Sequence, residues 1–131
     1  MKQAYLALFE CGAAHSVEVW QENKLVGGIY GVASGGVFCG ESMFSRISNG
    51  SKIALSCLIG YLRPLGFKLI DCQVDNAHLA TLGSCQISRS IYLKLLNETQ
   101  DLPIKASSWQ AQNLDWRALL GKNPLERSPN V

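Results

Sequence analysis

The chain has 131 residues, of which 47% are hydrophobic and 17% charged, the balance of one globular domain rather than of a disordered segment. Twelve Lys and Arg stand against ten Asp and Glu, a net charge of +2, too small an excess to argue for nucleic-acid binding by electrostatics alone. Five cysteines, an odd number, stand at spacings that match no zinc pattern, so they read as reduced, structural thiols of a cytosolic protein.

The first predicted element is a short amphipathic helix over residues 4–14, stopped by Gly12. It lacks the apolar centre of a signal peptide, and no stretch of the chain is long enough to span a bilayer. "SVEVW" then alternates, with Val17 and Val19 on one face and Glu18 and Trp20 on the other. After the turn "ENK", "LVGGIYGVA" reads as a second strand, "SGG" as a second turn and "VFCGESMF" as a third strand. Residues 16–44 therefore predict an antiparallel three-stranded meander.

Ser48 or Ser51 is the expected N-cap of a strongly apolar helix, "SKIALSCLIGYLR", ended by Pro64 and Gly66. "FKLIDCQV" is a fourth strand. "NAHLATLGS" is a short helix stopped by Gly83, and "SRSIYLKLLNETQ" a second amphipathic one. Beyond residue 100 the pattern weakens to one short helix near residues 114–120 and a polar tail. The division expected is residues 1–100 as the domain and 101–131 as a partly irregular extension. A strand, helix and strand after a meander predict an α+β fold: a mixed sheet with packed helices, similar in topology to the N-acetyltransferase (GNAT) fold.

Chemistry is expected where polar residues interrupt strand-like segments. In an extended strand Asp71 and Gln73 share one face, and an unpaired carboxylate there is costly to bury. Glu41 follows Gly40 inside an otherwise apolar run, the setting of a β-bulge that re-aims side chains. If the third and fourth strands are neighbours, Glu41, Asp71 and Gln73 converge on one cleft. Other residues are weaker candidates. His15 and His78 have no partner at ligand spacing. Ser42, Ser45 and Ser51 lack a nucleophile-elbow context. Cys72 faces away from the adjacent Asp71, which cannot activate it, and Cys39 is as weak a candidate.

The segments "HSVEVW", "LVGGIYGV", "FCGESMFSR", "SK.AL", "LIDCQV", "N.H.A.LG" and "ISRS.YL" together resemble the C-terminal half of the leucyl/phenylalanyl-tRNA–protein transferases. The resemblance runs from about residue 4 to residue 97, and its most specific parts are "GESMFSR" and "DCQ". It implies a GNAT-like domain that takes Leu, Phe or sometimes Met from aminoacyl-tRNA. The amino acid is joined to the N-terminal Arg or Lys of a protein, which marks that protein for degradation. It implies no cofactor, since aminoacyl-tRNA is a substrate.

The resemblance also implies roles for particular residues. Asp71 and Gln73 are catalytic, and Glu41 binds the cationic acceptor. Phe38, Met43 and Ile70 line the apolar donor pocket, together with Ile29, Leu55 and Leu58. The family normally carries an N-terminal domain that helps bind tRNA, and this chain is expected to start after it. Two alternatives are a non-catalytic remnant of such an enzyme and a CoA-dependent N-acyltransferase. "RISNGSK", with its one glycine, disfavours the CoA reading, which needs a glycine-rich pyrophosphate loop.

Overall fold

The structure, a computed structural model, describes residues 7, 10–73 and 77–120. Most of the predicted N-terminal helix and the last polar tail lie outside the described residues. The end of that helix is visible: the Cys11 amide bonds to the Ala7 carbonyl at 3.1 Å, and Gly12 takes φ +84°. The first strand then starts two residues earlier than the alternation indicates.

Four strands form one sheet in the order β1 (Ala14–Gln21), β2 (Lys24–Ser34), β3 (Val37–Ser45) and β4 (Leu69–Asp71). The meander is antiparallel, as its turns demand. Gln21 pairs with Lys24 across Glu22 and Asn23, both left-handed, the twist that a two-residue hairpin needs. β4 runs parallel to β3. The crossover between them is α1 (Gly50–Leu62), followed by a 3₁₀ turn (Arg63–Leu65) that Gly66 terminates at φ +97°. The result is the α+β mixed sheet expected for a GNAT-like domain.

The core lies between α1 and one face of the sheet. Ala54, Leu55, Leu58 and Leu62 of α1 pack on Ile29 of β2 and Phe38 of β3. Val17 and Val19 pack against this cluster, while Trp20 is 57% exposed and donates to the Glu18 carboxylate at 2.9 Å. The alternation read in β1 is thus real.

The start of α1 differs from the expectation. Neither Ser48 nor Ser51 is the N-cap. Asn49 occupies that position in a left-handed conformation and makes no side-chain cap. The capping oxygen comes from the end of β3, where Ser45 Oγ accepts from the Ser51 amide at 3.2 Å. The exchange is possible because helix and sheet touch here. A Cβ on Gly27 would stand 2.5 Å from the Gly50 carbonyl carbon, so the first turn of α1 seats directly on β2.

β4 is also shorter than residues 67–74 suggest. It stops at Asp71, whose Oδ1 accepts the Gln73 amide at 2.8 Å and holds Gln73 in a left-handed turn, φ 64°. Beyond it come α2 (Ala77–Thr81), α3 (Arg89–Thr99), a 3₁₀ turn (Ala106–Trp109) and α4 (Trp116–Leu120). Gly83 follows α2 at φ +96°, and Ser88 caps α3 by accepting from the Ile91 amide at 3.2 Å. Leu102, Ile104 and Trp109 lie against the core, and the Tyr61 hydroxyl donates to the Ser108 carbonyl. Trp109 stacks on buried His15 with ring centroids 3.7 Å apart.

Candidate active site

The site forms where the parallel ladder ends. Val37, Phe38 and Cys39 pair with Leu69, Ile70 and Asp71, and there β4 stops while β3 continues to Ser45. On the other edge of β3, Tyr30 opposes Ser42 and Gly31 opposes Gly40, which leaves Glu41 as the extra residue of a bulge. Gln73 bridges the point where the strands part. Its backbone amide donates to Asp71, and its side-chain Nε2 donates to the Gly40 carbonyl at 3.1 Å. Glu41, Asp71 and Gln73 are therefore brought to one end of the sheet. The in-strand alignment predicted for Asp71 and Gln73 is replaced by a turn in which one hydrogen-bonds the other.

Asp71 and Gln73 open onto a cavity of about 630 Å³. α1 supplies Leu55, Ile59 and Leu62 to its wall, β4 supplies Ile70, α2 and its end supply Leu79 and Leu82, and α3 supplies Tyr92. Arg63, Lys68, Ser84 and Gln86 also line it, so the cavity combines an apolar wall with polar and charged groups, the general design of a small-ligand site.

Of the residues expected at the site, Asp71, Gln73, Ile70 and Leu55 line this cavity. Phe38, Ile29, Met43 and Leu58 do not: the first two and Leu58 are buried in the core, and Met43 packs half-buried against it. Glu41 is exposed on its bulge, beside the Gly40 carbonyl that holds Gln73. Sequence reasoning missed Leu79, Leu82 and Tyr92. All three stand in segments quoted above, "N.H.A.LG" and "ISRS.YL", but there they read only as helix faces.

The electrostatics disfavour Cys39 and Cys72 as nucleophiles. Burial pushes the Cys39 thiol up, the Tyr92 hydroxyl pulls it partly back, and the Asp71 and Glu41 carboxylates raise it further. Burial and then Asp71 raise Cys72. Both thiols stay protonated at neutral pH, whereas a reactive cysteine needs its thiolate. The Tyr92 phenol is shifted strongly upward, first by burial, then by Cys39 and Asp71 nearby.

The start of α1 is not an open anion site, since the Gly50 amide bonds to the Ile47 carbonyl and the Ser51 amide to Ser45 Oγ. No group of three His, Cys, Asp or Glu among the described residues has the arrangement to hold a metal ion. No helix among them is long and apolar enough to cross a membrane. What remains is a carboxylate and an amide on the wall of a largely apolar cavity. They can hold a ligand with a greasy end and a reacting polar end, and can accept a proton from it.

Comparison with known proteins agrees with this chemistry. A family described as leucyl/phenylalanyl-tRNA protein transferase matches residues 1–97. A leucyl/phenylalanyl-tRNA–protein transferase of Yersinia pestis bv. Antiqua (strain Antiqua) is 47% identical over 131 residues, all of this chain and 50% of that protein. Transferases of the same name from Yersinia pestis (strain Pestoides F) and Yersinia pseudotuberculosis serotype O:1b (strain IP 31758) are each 50% identical over 120 residues, 92% of this chain and 51% of theirs. The chain thus spans about half the length of the curated relatives it matches.

Proposed function

Because this chain belongs to the leucyl/phenylalanyl-tRNA protein transferase family, we propose that its cavity is the donor site of an aminoacyl transfer. The apolar side chain of Leu, Phe or Met fills the chamber between α1, β4 and α2. The ester that joins the amino acid to the tRNA 3′ end lies at the mouth, beside Asp71 and Gln73. The acceptor is the α-amine of a protein with N-terminal Arg or Lys, in the cytosol, and Glu41 pairs with its cationic side chain.

The observation that carries this reading is the coupling of Asp71 to Gln73 at the cavity mouth, through the 2.8 Å bond from the Gln73 amide. The donation of Gln73 Nε2 to Gly40 leaves the side-chain carbonyl oxygen as an acceptor for the attacking amine. An α-amine has a pKa near ~8, so a fair fraction is neutral at cellular pH and no strong base is needed. The amine nitrogen bonds to the ester carbon and the C–O bond to the tRNA ribose breaks. Asp71 takes the ammonium proton and passes it to the departing ribose oxygen, so the carboxylate is regenerated. Positioning supplies most of the rate.

The test is transfer of labelled Phe from Phe-tRNA to a peptide that starts with Arg. The wild-type chain transfers the label. Asp71→Asn slows transfer by about 100-fold or more, about 2.7 kcal/mol in the barrier, with little change in thermal stability. An inactive wild-type chain, or an Asp71→Asn variant as fast as wild type, sinks the reading.

A further inference from the structure

We infer that the open edge of β4 is the docking strip for the acceptor protein, an inference that rests on the transferase reading. The acceptor's first four residues extend antiparallel along this edge, with the α-amine beside Asp71 and an acidic fourth residue against Arg63 and Lys68. Asp71, Gln73 and Glu41 account for the acceptor's terminal residue alone. The chain behind that residue also has to leave the cavity, and β4 gives it a path.

β4 is the last strand of the sheet and pairs with β3 alone. Lys68 extends that pairing by one residue, its amide donating to the Gly36 carbonyl at 2.8 Å. On the other edge, the backbone of Leu69–Asp71 makes no hydrogen bond among the described residues. Such an edge is a row of unpaired donors and acceptors. It faces the cavity. Every residue from Lys68 to Gln73 lines that space, although successive side chains of a strand point to opposite faces. Both sets reach one cavity because it runs along the edge of the strand. The facing wall includes residues 83–87, which are neither helix nor strand. The space between is a slot for an extended peptide.

Charge sets the direction of that peptide. Arg63 and Lys68 stand at the start of β4, on either side of the turn in which the Gly66 amide bonds to the Arg63 carbonyl at 3.1 Å. Both line the cavity, and neither forms an ion pair among the described residues. Asp71 lies three residues beyond Lys68, about 10 Å at the rise of a strand. One end of the strip is thus anionic and the other cationic. An acceptor that begins with Arg or Lys brings its positive charges to the Asp71 and Glu41 end, so its chain runs toward Lys68. Its fourth residue then lies opposite Lys68, and opposed side chains of an antiparallel pair share a face. An acid at that position completes the match. Backbone pairing also suits acceptors that share only a terminal residue, because main-chain bonds do not read the side chains that follow. The apolar wall of Leu55, Ile59, Leu79 and Leu82 is left to the donor side chain.

Transfer of labelled Phe by the full chain to designed peptides tests the strip. Arg-Ala-Ala-Glu-Ala-Ala is preferred over Arg-Ala-Ala-Gln-Ala-Ala by about threefold to fivefold in kcat/KM. In the double variant Arg63→Gln, Lys68→Gln that ratio falls to about one. The ratio is measured within one preparation, so a loss of folded protein does not alter it. Single N-methylation of the peptide at its second, third or fourth residue tests the backbone pairing. Alternate amides face β4, so the second and fourth respond alike and the third oppositely. KM rises about tenfold in one set and stays within about twofold in the other. Equal effects at all three amides, no preference for Glu in wild type, or the same preference in the double variant overturns the inference. If the wild-type chain transfers nothing, the transferase reading falls and binding decides the strip. Fluorescence anisotropy of the labelled peptide Phe-Arg-Ala-Ala-Glu-Ala-Ala then shows the same charge preference and the same alternation in Kd, or the strip falls as well.

Discussion

β3 belongs to two regions built on different terms. At its start, Val37 and Phe38 are fully buried, and Phe38 joins the apolar cluster of Ala54, Leu55, Leu58 and Leu62 from α1. Two residues later the strand changes character: Cys39 neighbours a carboxylate and a phenol, Gly40 accepts from Gln73, and Glu41 bulges out. The first region is regular, periodic and dry. The second has a three-residue strand, a left-handed Gln73 and two carboxylates, Asp71 and Glu41, that both act on the Cys39 thiol. The contrast shows how the irregular part is supported. Its polar groups are held by backbone atoms of elements that the regular part has already anchored.

The comparison breaks most visibly at Phe38. Phe38→Ala leaves a hole beneath α1 and costs about 3–5 kcal/mol of stability. Denaturant unfolding measures that loss. A loss below about 1 kcal/mol, accompanied by altered donor selectivity, would move Phe38 from the dry region into the pocket.

The regular region was the legible one. The turns "ENK" and "SGG", with the alternation of "SVEVW" ahead of them, announce a meander, and the apolar density of residues 53–62 announces a buried helix. Asp71 and Gln73 were legible for the opposite reason, as polar residues where a strand prefers Val or Leu. Three features were not. The end of β4 depends on the Asp71 side chain capturing the Gln73 amide, and an alternating run of residues gives no sign of that bond. The cap of α1 comes from Ser45, six positions before the amide it satisfies, because Gly27 and Gly50 let strand and helix meet. The cavity wall draws on Leu79, Leu82 and Tyr92, whose periodicity reveals a buried face but not what that face looks onto.

The irregular region is sharpened by filling its chamber. Leu82 lines the cavity and packs half-buried on the core, so added volume there intrudes on the ligand before it strains the fold. Leu82→Phe shifts the ratio of Phe to Leu transfer toward Leu by about tenfold, about 1.4 kcal/mol. Parallel rates with Phe-tRNA and Leu-tRNA give the ratio. An unchanged ratio would mean that the donor side chain binds elsewhere.

The smallest effect concerns a group that violates the contrast. His15 is 8% exposed, inside the dry region, stacked on Trp109, and its Nε2 has no hydrogen-bond partner among the described residues. Burial holds its pKa below the ordinary 6.5, with a bond to the Gly12 carbonyl opposing in part. The sign of the consequence is fixed by linkage. Between the depressed folded value and 6.5, the unfolded chain binds the proton and the folded chain does not. Stability contributed by neutral His15 is therefore complete above pH 6.5 and declines as pH falls toward the folded value, by less than about 1.4 kcal/mol per pH unit. His15→Phe keeps the stack on Trp109 and removes both the titration and the unpaired nitrogen. Its melting temperature stays level between about pH 7 and pH 5.5 where the wild-type value drops. Parallel melting curves for the two proteins over that range would show instead that the proton reaches His15 without loosening the Trp109 contact, and that this part of the core tolerates charge as the cavity mouth does.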